Sequence, residues 1–573
     1  MYQLFRRVLL VTALAACSHP PPAAPPAQPP APQMPVTETK PPVADPYAAI
    51  DDAGKAITAD LLRDQITKLS ADEFEGRGPT TRGDQAARAY LVDQLKAMGY
   101  EAGGGPNEWQ QPVDLVGIRS DMPQQWTFKR GGKSLSLRWW DQYMGAGGTQ
   151  SERAQVKNAE IVFVGYGIQA PEYGWDDFKG NDLRGKVLLM LNNDPDWDPS
   201  LFAGTTRLYY GRWSYKYESA ARQGAAGAII IHTRPSAGYP FQVVQTSWSG
   251  EKFELPAGGE PRIQVRTWVT EDAARALATL AGKDLAQLVE AARHKEFAPV
   301  PLGVTTSIAF TNKISHNKSA NVYGLLRGSD PALAKQLVVY TAHHDHLGIG
   351  KPDASGDKIY NGALDNATGC SQVLAIARAF KALPTPPRRS ILILFVAAEE
   401  QGLLGSAYYA AHPTVPPGRI AVDINYDGGD IWGRTRDVTY VGKGKTTLDP
   451  FVEEYAARQH RVVKSDQFPD RGTFYRSDQF SFARIGVPGL YLHTGTDFVD
   501  REPGWGRAQV EGYENHHYHQ PSDHIRPDWN FDGMIDDARL GFAVGVRVAN
   551  ADEMPGWTPG DEFEATRKAA LAQ

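Results

Sequence analysis

Cysteine is almost missing from this chain: among 573 residues only Cys17 and Cys370 carry a thiol. That scarcity excludes a disulfide-stapled scaffold and leaves packing, with metal binding, to hold the fold. Positive charge is not in surplus either. The formal net charge is −6, and removal of an N-terminal segment bearing Arg6 and Arg7 would take it to about −8. No basic tract remains, which argues against nucleic acid as a partner. Long apolar runs are also lacking. The run from Val8 to Ala16 is too short to span a bilayer.

What is present at the N-terminus reads as an export signal. Arg6 and Arg7 precede the apolar run, and the small residues Ala15 and Ala16 lie just before Cys17. Leu14-Ala15-Ala16-Cys17 resembles a bacterial lipobox, which implies acyl chains on Cys17 and a membrane anchorage by lipid. Cys370 is then left without a partner. Ser18, where aspartate would signal inner-membrane retention, points to the outer membrane in a cell that has one; a secreted or periplasmic protein is the alternative. From Ser18 to about Ala44, proline and alanine dominate, a composition that favours extended polyproline conformation and suits a stiff spacer.

The full sequence is 42% apolar and long enough for more than one packed domain. Its second half alternates strand-length apolar runs with helix-period segments. Strands are predicted over 336–342, 391–398, 420–426 and 486–492, and helices over 370–383 and 448–458. This is the pattern of an α/β fold: a mostly parallel, mixed sheet flanked by helices. In such sheets functional residues gather at the carboxyl ends of strands.

Five metal-competent residues occur in order there: His343, Asp365, Glu400, Asp427 and His519. Two imidazoles and three carboxylates satisfy two zinc ions when one carboxylate bridges them. Glu399 directly precedes Glu400. Neighbouring side chains at a strand end point in different directions, so one glutamate would ligate and the other would face a water as its base.

The motifs that carry these residues are 342–348 (AHHDHLG), 364–369 (LDNATG), 398–403 (AEEQGL), 425–427 (NYD) and 518–523 (YHQPSD). In content and order they resemble the M28 family of zinc peptidases. The resemblance covers roughly residues 55–130 and 305–550. It implies Asp365 as the bridge between two Zn2+ ions, His343 with Asp427 on one ion, Glu400 with His519 on the other, and Glu399 as general base. It also supports Asp345 as acceptor for the free imidazole nitrogen of His343, and implies a cis peptide between Asp365 and Asn366. His344, His346, His516 and His517 are expected to serve loops or neighbouring positions. Asp523 could orient the His519 loop or cap a turn, and Tyr475 is a candidate donor to an oxyanion.

Between about residues 135 and 300 the motifs change. Strand-like 161–167 and 183–190 precede a helix that passes by glycine into a buried strand at 220–232. This block resembles a protease-associated (PA) domain, β-rich and inserted into the catalytic fold, and implies a role in filtering substrates; a scaffold insertion is equally compatible. Trp213, Tyr215 and Tyr217 could line a cleft or pack in a core. The expected organisation is a signal over 1–16, a linker over 17–50, the first part of the peptidase over 51–134, the PA insertion over 135–300 and the catalytic domain over 301–560. The expected activity is removal of N-terminal residues from peptides or proteins. Alternatives are a carboxypeptidase of the same fold, for which Arg471, Arg476 and Arg484 are the available cations, a single-zinc glutaminyl cyclase, and a noncatalytic receptor-like binding protein. Side-chain preference and oligomeric state are not encoded in these motifs.

Overall fold

Among the described residues the central sheet has the spatial order 251–254, 110–120, 300–326, 390–396, 337–343, 420–425, 489–493, 437–441 and 462–465, with the short strand Glu101–Ala102 continuing the line of 110–120 along 300–326. The computed structural model describes Asp45 and residues 47–572. The signal, Cys17 and nearly all of the proline-rich stretch lie outside the described residues. Tyr47 and Ile50 are already buried in the main core, and a helix runs over Ala48–Gly54, so the expected linker boundary at residue 50 falls within packed structure.

The four strands at the centre, 390–396, 337–343, 420–425 and 489–493, are parallel. Leu337–His343 and Ser390–Val396 are buried at every position, the mark of strands covered on both faces. Each fully buried aliphatic side chain there contributes about 1.5–3 kcal/mol. The helices Thr368–Ala382 and Asp532–Asn550 pack on one face and share its core with Val338, Tyr340, Ile391 and Ile393. The predicted elements in this region all form, with ends shifted by a few residues.

After 337–343 the chain crosses to 390–396 on one side, and then returns to 420–425 on the other. That reversal opens a crevice at the carboxyl ends, between His343 and the residues following Asn425. The topology therefore fixes where a site can form.

A second sheet departs from the first. Its strands lie in the order 133–138, 125–130, 300–311, 153–163, 187–191, 227–232, 265–270 and 143–147. Val300–Leu326 is one strand of 27 residues that belongs to both sheets, its first part to the second and its last part to the central one. Glu251–Glu254 leaves the second sheet's region and pairs with 116–119 at the central sheet's edge. The excursion thus runs from about 121 to 311, and the expected boundaries at 134/135 and 300/301 cut through paired strands. A shared strand and a returning edge strand explain why no separate compact unit divides off after residue 46. Beyond the expected limit at 560, the helix Glu564–Leu571 is also part of the fold: Arg567 is buried and donates to the Ile420 carbonyl at 2.9 Å.

Candidate metal centre and adjoining cavities

The backbone brings all five metal-competent residues to the crevice. His343 is the last residue of its strand. Asp365 follows Gly362, which has φ +57° and whose Cβ, if present, would lie 2.2 Å from the Asp365 carbonyl. The Asp365–Asn366 peptide is cis. Asn366 ties this turn to its neighbour: its side-chain amide donates to the Tyr426 carbonyl at 3.0 Å, and its side-chain oxygen accepts from the N–H of Gly428 at 2.9 Å. Ala398, Leu403 and His519 all hold positive φ without being glycine. Such positions cost about 1–3 kcal/mol each and persist where surrounding structure imposes them.

The two carboxylate oxygens of Asp365 face different imidazoles. Oδ1 lies 3.3 Å from His343 Nε2, and Oδ2 lies 3.2 Å from His519 Nε2. His343 Nε2 is also 3.3 Å from Asp427 Oδ1, and His519 Nε2 is 3.0 Å from Glu400 Oε2. Asp365 sits between two half-sites. Two groups of side chains are close enough to hold a metal ion: His343, Asp365 and Asp427, and His346, Asp365 and Glu400, their ligand atoms within 4.8 Å of one another.

His346 is thus nearer the centre than its expected loop role. Its Nδ1 contacts Glu400 Oε1 at 2.7 Å. His519 Nε2 is buried and has no hydrogen-bond partner despite its nearness to two carboxylates. His346 Nε2 is likewise buried and unpartnered, but the unpartnered nitrogen of His519 is the one that faces Asp365 and Glu400, whereas the His346 nitrogen facing Glu400 is already hydrogen-bonded to it.

Charge makes the same point. Among the described residues no lysine or arginine lies within ion-pair distance of Asp365, Glu399, Glu400 or Asp427; only imidazoles do. Burial alone would lower the two imidazoles, yet Glu399, Asp365 and Asp427 push His343 well above its ordinary value. Likewise Glu400 and Asp365 push His519 up to about 9. Burial would raise Asp365, but the nearby imidazoles of His343, His519 and His346 hold it well below the usual carboxylate range. Burial drives the Glu399 carboxyl well above its usual range, opposed by His343 and assisted by Asp427 and Glu400. Four crowded carboxylates compensated only by imidazoles fit a pair of divalent cations.

Asp345 departs from its expected role. Its carboxylate lies 3.8 Å from His343 Nδ1, and the contact at 3.2 Å is made by its backbone carbonyl. The carboxylate instead accepts from the backbone N–H of Glu399 at 3.0 Å and of Glu400 at 3.4 Å. A strand end leaves those two N–H groups without ladder partners, so the buried acid caps them and aims both glutamates. Tyr475 is also displaced from the site: its hydroxyl donates to Glu562 at 2.6 Å within a separate apolar cluster. Asp523 resolves toward orientation, accepting from the N–H of Leu364 at 3.0 Å, of Asp365 at 3.1 Å and from the Tyr513 hydroxyl at 3.0 Å.

Several supporting residues carried no sequence signal. Arg77 is buried and donates to the carbonyls of His344, Asn361 and Gly362, pinning the loops of His343 and Asp365 together. Ser477 Oγ donates to Asp427 at 2.7 Å, and the Tyr491 hydroxyl to the Asp427 carbonyl at 3.0 Å. Ser247, from the second sheet's excursion, lies 2.7 Å from His519 Nδ1. Each contact joins segments far apart in sequence.

Two cavities meet at Glu399. The one on the Asp427 side has aromatic walls, among them Trp432, Phe468 and Tyr491, with Asp466 and Glu514. The one on the Glu400 side is lined by the excursion, with Arg212, Trp213, Trp248 and Lys252 facing Glu399, Glu400 and His519. Trp213 lines a cleft, whereas Tyr215 and Tyr217 pack in cores. Of the three arginines weighed for a carboxypeptidase, Arg471 pairs with Glu514, Arg484 is exposed, and Arg476 borders both cavities.

Residues 321–543 match the sequence pattern of Peptidase family M28. Over 66% of this chain, 27% of residues are identical to Aminopeptidase YwaD of Bacillus subtilis, and the match spans 65% of that protein, just under two thirds of its length. A probable leucine aminopeptidase 2 of Aspergillus oryzae is 22% identical over 81% of this chain and 79% of its own. Among solved structures, an aminopeptidase from Aneurinibacillus sp. strain AM-1 superposes with a TM-score of 0.52 at 20% identity, covering 88% of this chain and 97% of the other. At that identity the likeness is one of fold.

Proposed function

Taking as premise that this chain has the fold of the M28 metallopeptidases, we propose that it is an exported two-zinc aminopeptidase, acting on the free N-termini of peptides. The observation that carries the reading is the divided Asp365 carboxylate, each oxygen facing the imidazole of a different half-site. In this reading His343, Asp365 and Asp427 hold one Zn2+, and Asp365, Glu400 and His519 hold the other. His346 hydrogen-bonds Glu400 and fixes its second oxygen. Bound there, two zinc ions would supply Lewis acidity toward the scissile carbonyl and acidify a water.

Glu399 acts through its carboxylate oxygens: it accepts a proton from the attacking water and returns that proton to the departing amine nitrogen. Its backbone N–H, held by Asp345, sets its aim. The aromatic cavity on the Asp427 side receives the side chain of the N-terminal residue, and the cavity on the Glu400 side receives the part of the peptide beyond the scissile bond. The excursion over 121–311 is read as a PA-like insertion that shapes the second cavity. Cys17 is read as lipid-modified, holding the catalytic part at the cell envelope, outer membrane included. Among the described residues no helix is long and apolar enough to cross a membrane.

The test is hydrolysis of aminoacyl chromogenic substrates and of N-blocked peptides by the purified protein, with metal analysis on the same preparation. Free N-termini should be required and two zinc equivalents found. Equal cleavage of blocked and free peptides would sink the aminopeptidase reading, and a single equivalent in fully active protein would sink the two-metal centre.

A further inference from the structure

Four cations line the cavity on the Glu400 side, and among the described residues three of them have no carboxylate within ion-pair distance. Arg212 is half-buried with its Nε buried and without a hydrogen-bond partner, and no carboxylate lies within ion-pair reach among the described residues. Its guanidinium stands near Trp213, 5.7 Å from the ring centroid. Arg476 makes one polar side-chain contact, to the Tyr518 hydroxyl at 3.4 Å, and stands 5.5 Å from the centroid of Tyr239. Lys252 donates to the Ser247 carbonyl at 2.8 Å and has no acidic partner. The fourth cation of the cavity, Arg266, is neutralised by Glu254, which also pairs with Arg262.

Glu399 and Glu400 favour the charges of Arg212 and Lys252 from a distance, but no carboxylate reaches the three half-buried cations directly, which leaves their N–H groups open to an anion. Arg476 lies close enough to Arg212 to disfavour its charge, beyond the larger cost of burial. Across Glu399 acids outnumber cations: Asp427, Asp466 and Glu514 border the aromatic cavity with Arg471, which pairs with Glu514, and Arg476, which stands between the two cavities. The site therefore carries a charge gradient along the line a short peptide would follow. Its acidic end suits a free ammonium and its basic end suits a carboxylate.

We propose that Arg212 and Arg476, with Lys252 beside them, form a carboxylate subsite on the leaving-group side of the scissile bond. The carboxylate is the free C-terminus of a dipeptide, or the side chain of an acidic residue immediately after the bond. A guanidinium fork matches a carboxylate bidentately, and Trp213 and Tyr239 stand beside the two guanidiniums. This rests on the aminopeptidase reading and specifies its substrates: short peptides, dipeptides foremost, and acidic second residues. Arg212 and Lys252 come from the 121–311 excursion, so that segment would set the preference.

The experiment compares kcat/KM for Leu-Ala with Leu-Ala-amide, and for Leu-Glu-amide with Leu-Gln-amide, in the wild type, Arg212→Gln and Arg476→Gln. The wild type should favour the free acid by about tenfold or more over its amide, the size expected of a charge-assisted contact. Preference within the first pair assigns the C-terminal carboxylate, and preference within the second assigns the side chain. Each variant should bring the ratio toward one. Because a ratio on one preparation does not depend on the folded fraction, partial misfolding does not blur it, and the wild-type ratio alone already decides. A ratio near one in both wild-type pairs, or ratios unmoved in both variants, overturns the subsite. Absence of cleavage from any free-amine substrate, with N-acetyl-Leu-Ala cleaved instead, overturns the aminopeptidase reading.

Discussion

Ser247→Ala isolates what the second sheet's excursion does for the metal centre. Ser247 Oγ lies 2.7 Å from His519 Nδ1, and neither the Asp365 nor the Glu400 carboxylate can reach that nitrogen while His519 Nε2 faces both. A neutral imidazole carries one proton. If Nδ1–H donates to the serine oxygen, the Nε2 lone pair is free for a cation; if Nδ1 loses that acceptor, the tautomer is no longer enforced. Loss of such an outer partner typically lowers metal affinity by about 10–100-fold, or roughly 1.4–2.7 kcal/mol. The effect should fall on one of two zinc equivalents. Titration against a competing chromophoric chelator should show one equivalent weakened in Ser247→Ala, the other near its wild-type affinity, and recovery in Ser247→Thr, which keeps the hydroxyl. Two equivalents with wild-type affinities in the alanine variant would refute the argument that Ser247 sets the imidazole.

Other perturbations reach different parts of the same centre. Glu399→Gln keeps the shape but removes the proton acceptor, and should lower kcat by about 100- to 10,000-fold with zinc content preserved, as measured by steady-state kinetics and metal analysis. Chelation should abolish turnover and lower the melting temperature. Zinc restored at about 100 times its dissociation constant should return roughly 2.7 kcal/mol of stability in a denaturant titration. Asp523→Ala strips three donors of their acceptor, the N–H groups of Leu364 and Asp365 and the Tyr513 hydroxyl. At about 1–3 kcal/mol for each of the two buried N–H groups left unpaired, urea unfolding should show a loss of at least about 2 kcal/mol. Away from the site, burial lowers His232 from 6.5 to about 4. The unfolded chain binds that proton first, so the stabilisation is complete above pH 6.5 and is lost as pH falls toward 4. It amounts to about 3 kcal/mol. In His232→Phe the slope of stability over that window should flatten, and an unchanged slope would assign the acid sensitivity elsewhere.

The parallel core was legible because its strands are buried on both faces and read as unbroken apolar runs, as Ile391–Val396 does. The candidate metal centre was legible in part for a related reason: His343, Glu400 and Asp427 lie within four residues of the ends of central strands, where sequence adjacency and spatial position coincide, whereas Asp365 and His519 stand in loops and were marked by their motifs. Long-range contacts were not legible. Arg77 reaches carbonyls more than 260 residues away, and nothing in Glu75-Gly76-Arg77 announces it. Spacing to His343 points Asp345 at the imidazole, yet the strand end leaves two N–H groups on the neighbouring segment that bind its carboxylate better than the imidazole does. Tyr475 departs from expectation for the same reason: proximity along the chain places it near Asp478 and Arg476, while its ring packs away into a cluster with Phe474 and Phe480.

The 121–311 excursion bears on the chemistry through where it is bonded, more than through its own fold. Four of its hydrogen bonds land on loops of the centre: Ser247 on His519, Gln242 on Gln520, the Phe253 N–H on the Gln401 side chain, and the Arg207 N–H on the Pro469 carbonyl. Gln401 and Gln520 each stand next to a proposed ligand, Glu400 and His519. Polar contacts of this kind act on geometry, since each fixes a direction as well as a distance. Small displacements of the excursion would move His519 and the Glu399–Gln401 turn together. The same segment carries Arg212 and Lys252 of the proposed carboxylate subsite, so the groups that would meet a substrate and those that contact the loops of the proposed ligands come from one excursion, joined to the central sheet through Glu251–Glu254.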